Sequence, residues 1–138
     1  MPDDLAGLKA AGVDVLVSLL EPVEAVELGL AEEGQRCAEA GIEFVVLPVE
    51  DRGVPERARE FLAVAERLLT QIDAGRAVGI HCRAGIGRSS LLAAAILVLS
   101  GASPDDAWMR VSKARGIAVP DTAEQRRWLD STVPGTRP

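Results

Sequence analysis

The sequence predicts an α/β fold, with a central, mostly parallel sheet flanked by helices. Three observations carry that expectation. Short runs of β-branched and aliphatic residues alternate with segments of helical periodicity, the pattern of strands packed between amphipathic helices. A length of 138 residues suits one domain spanning residues 1–138 and leaves no room for two ordinary ones. A hydrophobic fraction of 48% beside 26% charged residues is that of a soluble globular chain able to build a core.

The elements follow in order. Residues 3–11 read as a short helix stopped by Gly12, and residues 13–20 (VDVLVSLL) as a buried strand. Pro22 suits a first helical turn. The stretch 21–41 is expected as one broken helix or two short ones, interrupted near Gly29 and Gly34. Residues 42–48 (IEFVVLP) are a second strand, followed by a loop over 49–55. The clearest helix comes next, because Ala58, Phe61, Leu62, Ala65, Leu68, Leu69 and Ile72 form an apolar stripe that must face a core. Gly75 ends it. Residues 77–81 form a third strand, and a glycine-punctuated loop over 82–88 leads into a helix over 89–100 that is apolar almost all round. Such a helix belongs in the middle of the fold. Ser103, Pro104 and Asp106 make an N-terminal cap for a helix running to about Arg115. A last helix is expected over about 122–131, with a loose tail over 134–138.

Composition narrows the function. The 21 acidic residues outnumber 15 basic ones and give a formal charge of −6, which argues against a nucleic-acid binder or a polybasic membrane-surface protein. A small, locally positive pocket remains compatible with that average. The longest near-apolar run, 91–99, is far too short to cross a bilayer, and the first residues lack the basic start and apolar centre of a signal peptide. Cys37 and Cys82 are no disulfide framework, so a reducing, cytoplasmic setting is the simplest expectation. Arginine far outnumbers lysine and asparagine is absent, as in a GC-rich coding sequence.

In a parallel sheet, ligands bind at the carboxyl ends of the strands, and the loops 49–55 and 82–88 both follow strands there. The second loop reads His81-Cys82-Arg83-Ala84-Gly85-Ile86-Gly87-Arg88-Ser89. A helix N-terminus attracts anions through its unpaired N–H groups and partial positive charge. Gly85 and Gly87 let the preceding loop curl its amides inward as an anion-binding nest. Arg88 adds a planar fork of donors that fits two phosphate oxygens. The same donors stabilise a thiolate, so the Cys82 pKa should fall well below the free value of roughly 8.5. A thiolate beneath a bound phosphate is positioned to attack phosphorus.

These residues resemble the Cys-x5-Arg-Ser/Thr signature of the cysteine-dependent protein tyrosine phosphatases, and AGIGR is similar to the core of the compact dual-specificity branch. A chance match of this length is on the order of one in a million. The loop Leu47-Pro48-Val49-Glu50-Asp51-Arg52-Gly53-Val54-Pro55 resembles the family's P-x-x-D-x-x-x-P acid loop. The low-molecular-weight phosphatases, with an N-terminal cysteine, have the wrong order of motifs. The resemblance, from about residue 13 to 129, implies a dual-specificity phosphatase-like fold and metal-independent hydrolysis of phosphomonoesters. In that chemistry Cys82 is the nucleophile and Asp51 the general acid and then base, with Glu50 its rival. Arg83, Ala84, Gly85, Ile86, Gly87 and Arg88 bind the phosphate, and Ser89 eases departure of the sulfur. No cofactor and no metal are implied; one histidine and two separated cysteines build no usual zinc site.

Other residues have supporting parts. His81 precedes the nucleophile and is expected to hold the loop and tune Cys82 without touching substrate. The family's Q-T-x-x-Q segment resembles Asp121-Thr122-Ala123-Glu124-Gln125, where only Gln125 matches and Asp121 stands in place of the water-positioning glutamine. Ser90 replaces a usual glycine. The strand region before the first helix is short, so an exposed sheet edge is expected. Cys37 reads as a packing residue, with a redox role toward Cys82 as the minority reading. The chain holds no tyrosine and four other aromatics (Phe44, Phe61, Trp108, Trp128), none near the loop, which implies a shallow pocket for phosphoprotein or small phosphomonoester substrates. A phosphoinositide phosphatase is disfavoured by neutral Ile86. A rhodanese-type sulfurtransferase is disfavoured by loop length, and a non-catalytic phosphate-binding domain by the joint presence of Cys82, Asp51 and Arg88. Oligomeric state is not legible.

Overall fold

Val13–Ser18 forms strand β1, the centre of the sheet, and the residues that make it central are the ones that alternate along it. Val15 and Val17, with Leu19 beyond the strand, enter one core, while Leu16 enters a second on the opposite face. A strand buried on both faces is what a parallel sheet requires. The computed structural model describes residues 12–27, 29–30, 32–49, 54–55, 57–81, 87–115 and 122–132. The expected helix at 3–11 and the tail at 134–138 lie outside them.

The other elements are α1 (Pro22–Glu27), α2 (Glu33–Ala40), β2 (Glu43–Val46), α3 (Ala58–Asp73), β3 (Ala77–His81), α4 (Gly87–Leu99), α5 (Pro104–Arg115) and α6 (Ala123–Thr132). Among the described residues the sheet has three strands in the order β2-β1-β3, and both pairings are parallel. The alternation of strand and helix signals had predicted this layer arrangement. No further strand flanks β3 among the described residues.

The main core lies between the sheet and α3, α4, α5 and α6. Phe61, Ala65 and Leu68 of α3 are buried, as the apolar stripe requires. Ile72, expected to share that face, is 42% exposed because it lies in the last turn, beyond the packed part of the helix. α4 sits amid α3, α5 and α6, and its Leu91, Leu92, Ala94, Ala95 and Val98 are fully enclosed. That is why its sequence is apolar nearly all round. The ring of Phe61 meets that of Trp128 edge-on at 5.2 Å and 84°, tying α3 to α6. On the other face, Cys37 of α2 packs with Leu16 and Ile42.

Several boundaries differ from expectation. The stretch 21–41 is two helices, and Gly29, at φ +73°, sits in the turn between them. Gly34 does not interrupt; it lies inside α2, where an added Cβ would meet Cδ2 of Phe44 at 3.1 Å. Its missing side chain lets the helix approach the edge strand. The strands are shorter than their apolar runs, because Leu19, Leu20 and Leu47 are buried beyond the strand ends. α4 begins at Gly87, two residues early, so Arg88 and Ser89 belong to its first turn. Ser103 caps α5 by accepting the Asp106 N–H at 3.1 Å. Thr122 does the same for α6, accepting the Gln125 N–H at 3.1 Å.

Candidate functional site

The carboxyl edge of the sheet gathers three chain segments. β1 leads through Leu19 and Leu20 to α1, where Pro22 occupies the first helical position. Glu24 reaches back to accept the Glu21 N–H at 3.1 Å, the reciprocal half of a capping box. β2 leads into residues that continue beside β1: the Leu47 N–H donates to Ser18 O at 2.9 Å and the Val49 N–H to Leu19 O at 3.0 Å. β3 ends at His81, opposite Ser18, and α4 starts at Gly87. The described residues therefore bracket the motif loop between a central-sheet strand and the N-terminus of a 13-residue helix.

Arg88 connects all three segments. It is 1% exposed, one of the largest fully buried side chains. Nη1 donates to Glu24 Oε1 at 2.6 Å and to the Val49 carbonyl at 2.9 Å, with the Leu19 carbonyl at 3.5 Å. Nη2 donates to Glu24 Oε2 at 2.9 Å. The pair is a bidentate fork between two buried side chains, 1% and 9% exposed. A guanidinium buried this deeply needs a counter-charge, since an unpaired buried charge costs several kcal/mol. Glu24 supplies it, and the two carbonyls fix the plane of the group. The Val49 carbonyl belongs to the residue just before Glu50 and Asp51, so Arg88 is anchored to the root of the acid loop.

Glu24, which holds Arg88, is the candidate site residue that sequence reasoning missed. Its signal was available in the spacing of Glu21 and Glu24 around Pro22, directly after a strand at the ligand-binding edge. What the spacing omits is the partner, 64 residues away in sequence.

Ser89 and Ser90 follow Arg88 in the first turns of α4, and both are buried. Ser89 thus stands in the helical turn that follows the motif loop. Among the described residues Ser90 Oγ has no hydrogen-bond partner, and neither does Trp108 Nε1 on the neighbouring α5. Gln125 is fully buried in the first turn of α6. Cys37 is fully buried, and desolvation first, then the carboxylate of Glu33, pushes its thiol pKa up. That favours the packing reading, since a protonated, enclosed thiol is a poor nucleophile. The backbone of His81 closes β3. Cys82, Arg83, Ala84, Gly85 and Ile86, like Glu50, Asp51 and Asp121, lie outside the described residues.

The described part of the site places a buried guanidinium, paired with Glu24, in the first turn of a long helix, at the edge where parallel sheets take ligands. Comparison with known proteins points the same way. The sequence profile of the family described as Tc-R-P, Polymorphic toxin system, DSP-PTPase phosphatase, matches residues 1–102. The predicted tyrosine phosphatase 123R of Invertebrate iridescent virus 6 is 31% identical over an alignment of 99 residues that covers 67% of this chain and 70% of that protein. Among solved structures, the active form of Tk-PTP superposes with a TM-score of 0.82 at 28% identity, over 96% of this chain and 85% of that one. Kinase-associated phosphatase superposes with a TM-score of 0.83 at 24% identity, over 93% and 72% of the two chains, and shows the shared fold. Among the described residues no helix is long and apolar enough to cross a membrane.

Proposed function

Since this chain belongs to the DSP-PTPase phosphatase family, we propose that it hydrolyses phosphomonoesters of proteins through a phospho-cysteine intermediate. Cys82 as thiolate attacks phosphorus, forming an S–P bond as the P–O bond to the leaving group breaks. Asp51 gives its proton to the departing oxygen, which removes most of the leaving-group cost. Water then attacks the phospho-cysteine while Asp51, now a carboxylate, takes the proton, and inorganic phosphate leaves with the thiolate restored. Arg88 and the amides of residues 83–88 bind the equatorial oxygens and stabilise their charge. Ser89 donates to the departing sulfur, and Gln125 helps to position water.

One observation carries this reading beyond the motif. Arg88 is held by Glu24 and by the Val49 carbonyl, so its position is set before substrate arrives. A preorganised donor costs no reorganisation in the transition state, which is where such groups contribute most. Glu24 acts through Arg88 and is a positioning residue.

The deciding experiment is hydrolysis of p-nitrophenyl phosphate in EDTA and reductant, with wild type beside Cys82→Ser and Asp51→Asn. Wild type is expected to turn over, and Cys82→Ser to lose all measurable activity. Asp51→Asn is expected to lose far more rate on phenyl phosphate, a poor leaving group, than on the p-nitrophenyl ester. Equal losses on both esters would remove Asp51 from the acid role. An inactive, folded, reduced wild type would leave a phosphate-binding domain.

A further inference from the structure

Beside Arg88 lies a cavity of about 250 Å³, lined by Glu21, Val49, Pro55, Arg57, Glu60 and Phe61, with Leu47 and Pro48 completing its wall. Two of these residues are one hydrogen bond from groups that hold the arginine. Val49 gives Arg88 its carbonyl, and the Glu21 N–H bonds the same Glu24 oxygen that pairs with Nη1. The cavity therefore adjoins the groups that hold Arg88, at the carboxyl ends of β1 and β2, where α3 begins.

We infer that this cavity is a specificity subsite for a lysine or arginine of the substrate polypeptide, two residues from the phosphorylated one. The inference rests on the phosphatase reading and adds the class of substrate. Geometry sets the spacing. β2 stands two strand positions from β3, about 10 Å, across the sheet edge from the motif loop. In an extended peptide the side chain that shares a face with the phosphorylated one is two residues, about 7 Å, along, and a long side chain spans the rest. Chemistry sets the residue type. Val49, Pro48 and Pro55 offer apolar walls to an aliphatic stem, and carboxylates at Glu21 and Glu60 offer acceptors to a cationic head. Arg57 is already engaged by Glu60 at 3.6 Å, whereas Glu21 has no ion-pair partner among the described residues. Among the described residues, two carboxylates against one guanidinium leave the lining net negative, complementary to a cation and repellent to an acidic side chain.

The test uses phosphotyrosine and phosphothreonine peptides that differ only in Lys, Ala, Leu or Glu at the second position on either side. The kcat/KM ratios are compared within wild type, Glu21→Gln and Glu21→Lys, so changes in overall activity do not enter. On one side of the phosphoresidue, lysine is expected to exceed alanine about fivefold in wild type, the scale of one well-placed surface ion pair. That preference should shrink in Glu21→Gln and reverse toward the glutamate peptide in Glu21→Lys. Equal turnover of all peptides, a preference for leucine or glutamate, or a lysine preference that survives in Glu21→Lys overturns the inference. So does turnover of p-nitrophenyl phosphate with no phosphopeptide hydrolysed. Absence of p-nitrophenyl phosphate turnover overturns the phosphatase reading beneath it.

Discussion

At the scale of single residues, the bond between Glu24 and Arg88 concentrates both stability and function in a few atoms. Two buried charges gain little relative to a well-packed apolar pair, but removing one of them strands the other. Glu24→Ala should therefore lower unfolding free energy by about 3–5 kcal/mol, read from urea midpoints. Glu24→Gln keeps the shape and loses the charge, so it should cost less stability yet raise KM for p-nitrophenyl phosphate. A KM equal to that of wild type would make Glu24 purely structural. Ser90 presents the opposite case. Its buried hydroxyl has no partner among the described residues, so Ser90→Ala removes an uncompensated desolvation penalty and should stabilise by about 1 kcal/mol, raising Tm by a few degrees. A lower Tm would show that the hydroxyl has a partner in solution. Arg88 was legible as a candidate anion ligand because an arginine at a helix start after a glycine-rich loop suits that chemistry. Glu24 was not, because nothing local distinguishes a capping glutamate from one that also faces a buried guanidinium.

Helices and strands were legible where periodicity was strong. The all-apolar α4 and the stripe of α3, apart from Ile72 at its end, appear as expected, and the cap at Ser103 falls at its expected position. Ambiguity gathered at glycines, which serve unrelated ends. Gly29 turns the chain and Gly34 admits a neighbouring ring, and only the packing tells them apart. Gly75 is of the turning kind, at φ +91° after α3, with open space where a Cβ would stand. Gly75→Ala therefore isolates backbone strain and should destabilise by about 1–2 kcal/mol with no change in kcat. A neutral result in thermal melts would mean that the turn relaxes to negative φ.

For the molecule as a whole, charge is the property that reaches furthest. A body with formal charge −6 repels a phosphorylated acidic peptide before any contact forms, and salt shortens that reach. Raising ionic strength from about 0.1 M to about 0.5 M should increase kcat/KM for acidic phosphopeptides and decrease it for lysine-rich ones. Parallel changes for both series, in steady-state assays across the salt range, would remove long-range steering from the account. The layered α/β architecture was readable from alternation alone. The order of strands was not, since placing β1 between β2 and β3 is settled by which faces bury which side chains.

The anchoring of Arg88 also orders events as the chain folds. Its partners lie 39, 64 and 69 residues earlier in the sequence, on segments that must first be aligned by β1 pairing with β2 and β3. Loop closure over such separations is slow and is rewarded late. The Glu24–Arg88 bond is therefore expected among the late native contacts, so that a partly folded chain carries the motif without the grip. Glu24→Gln should then change the unfolding rate more than the folding rate.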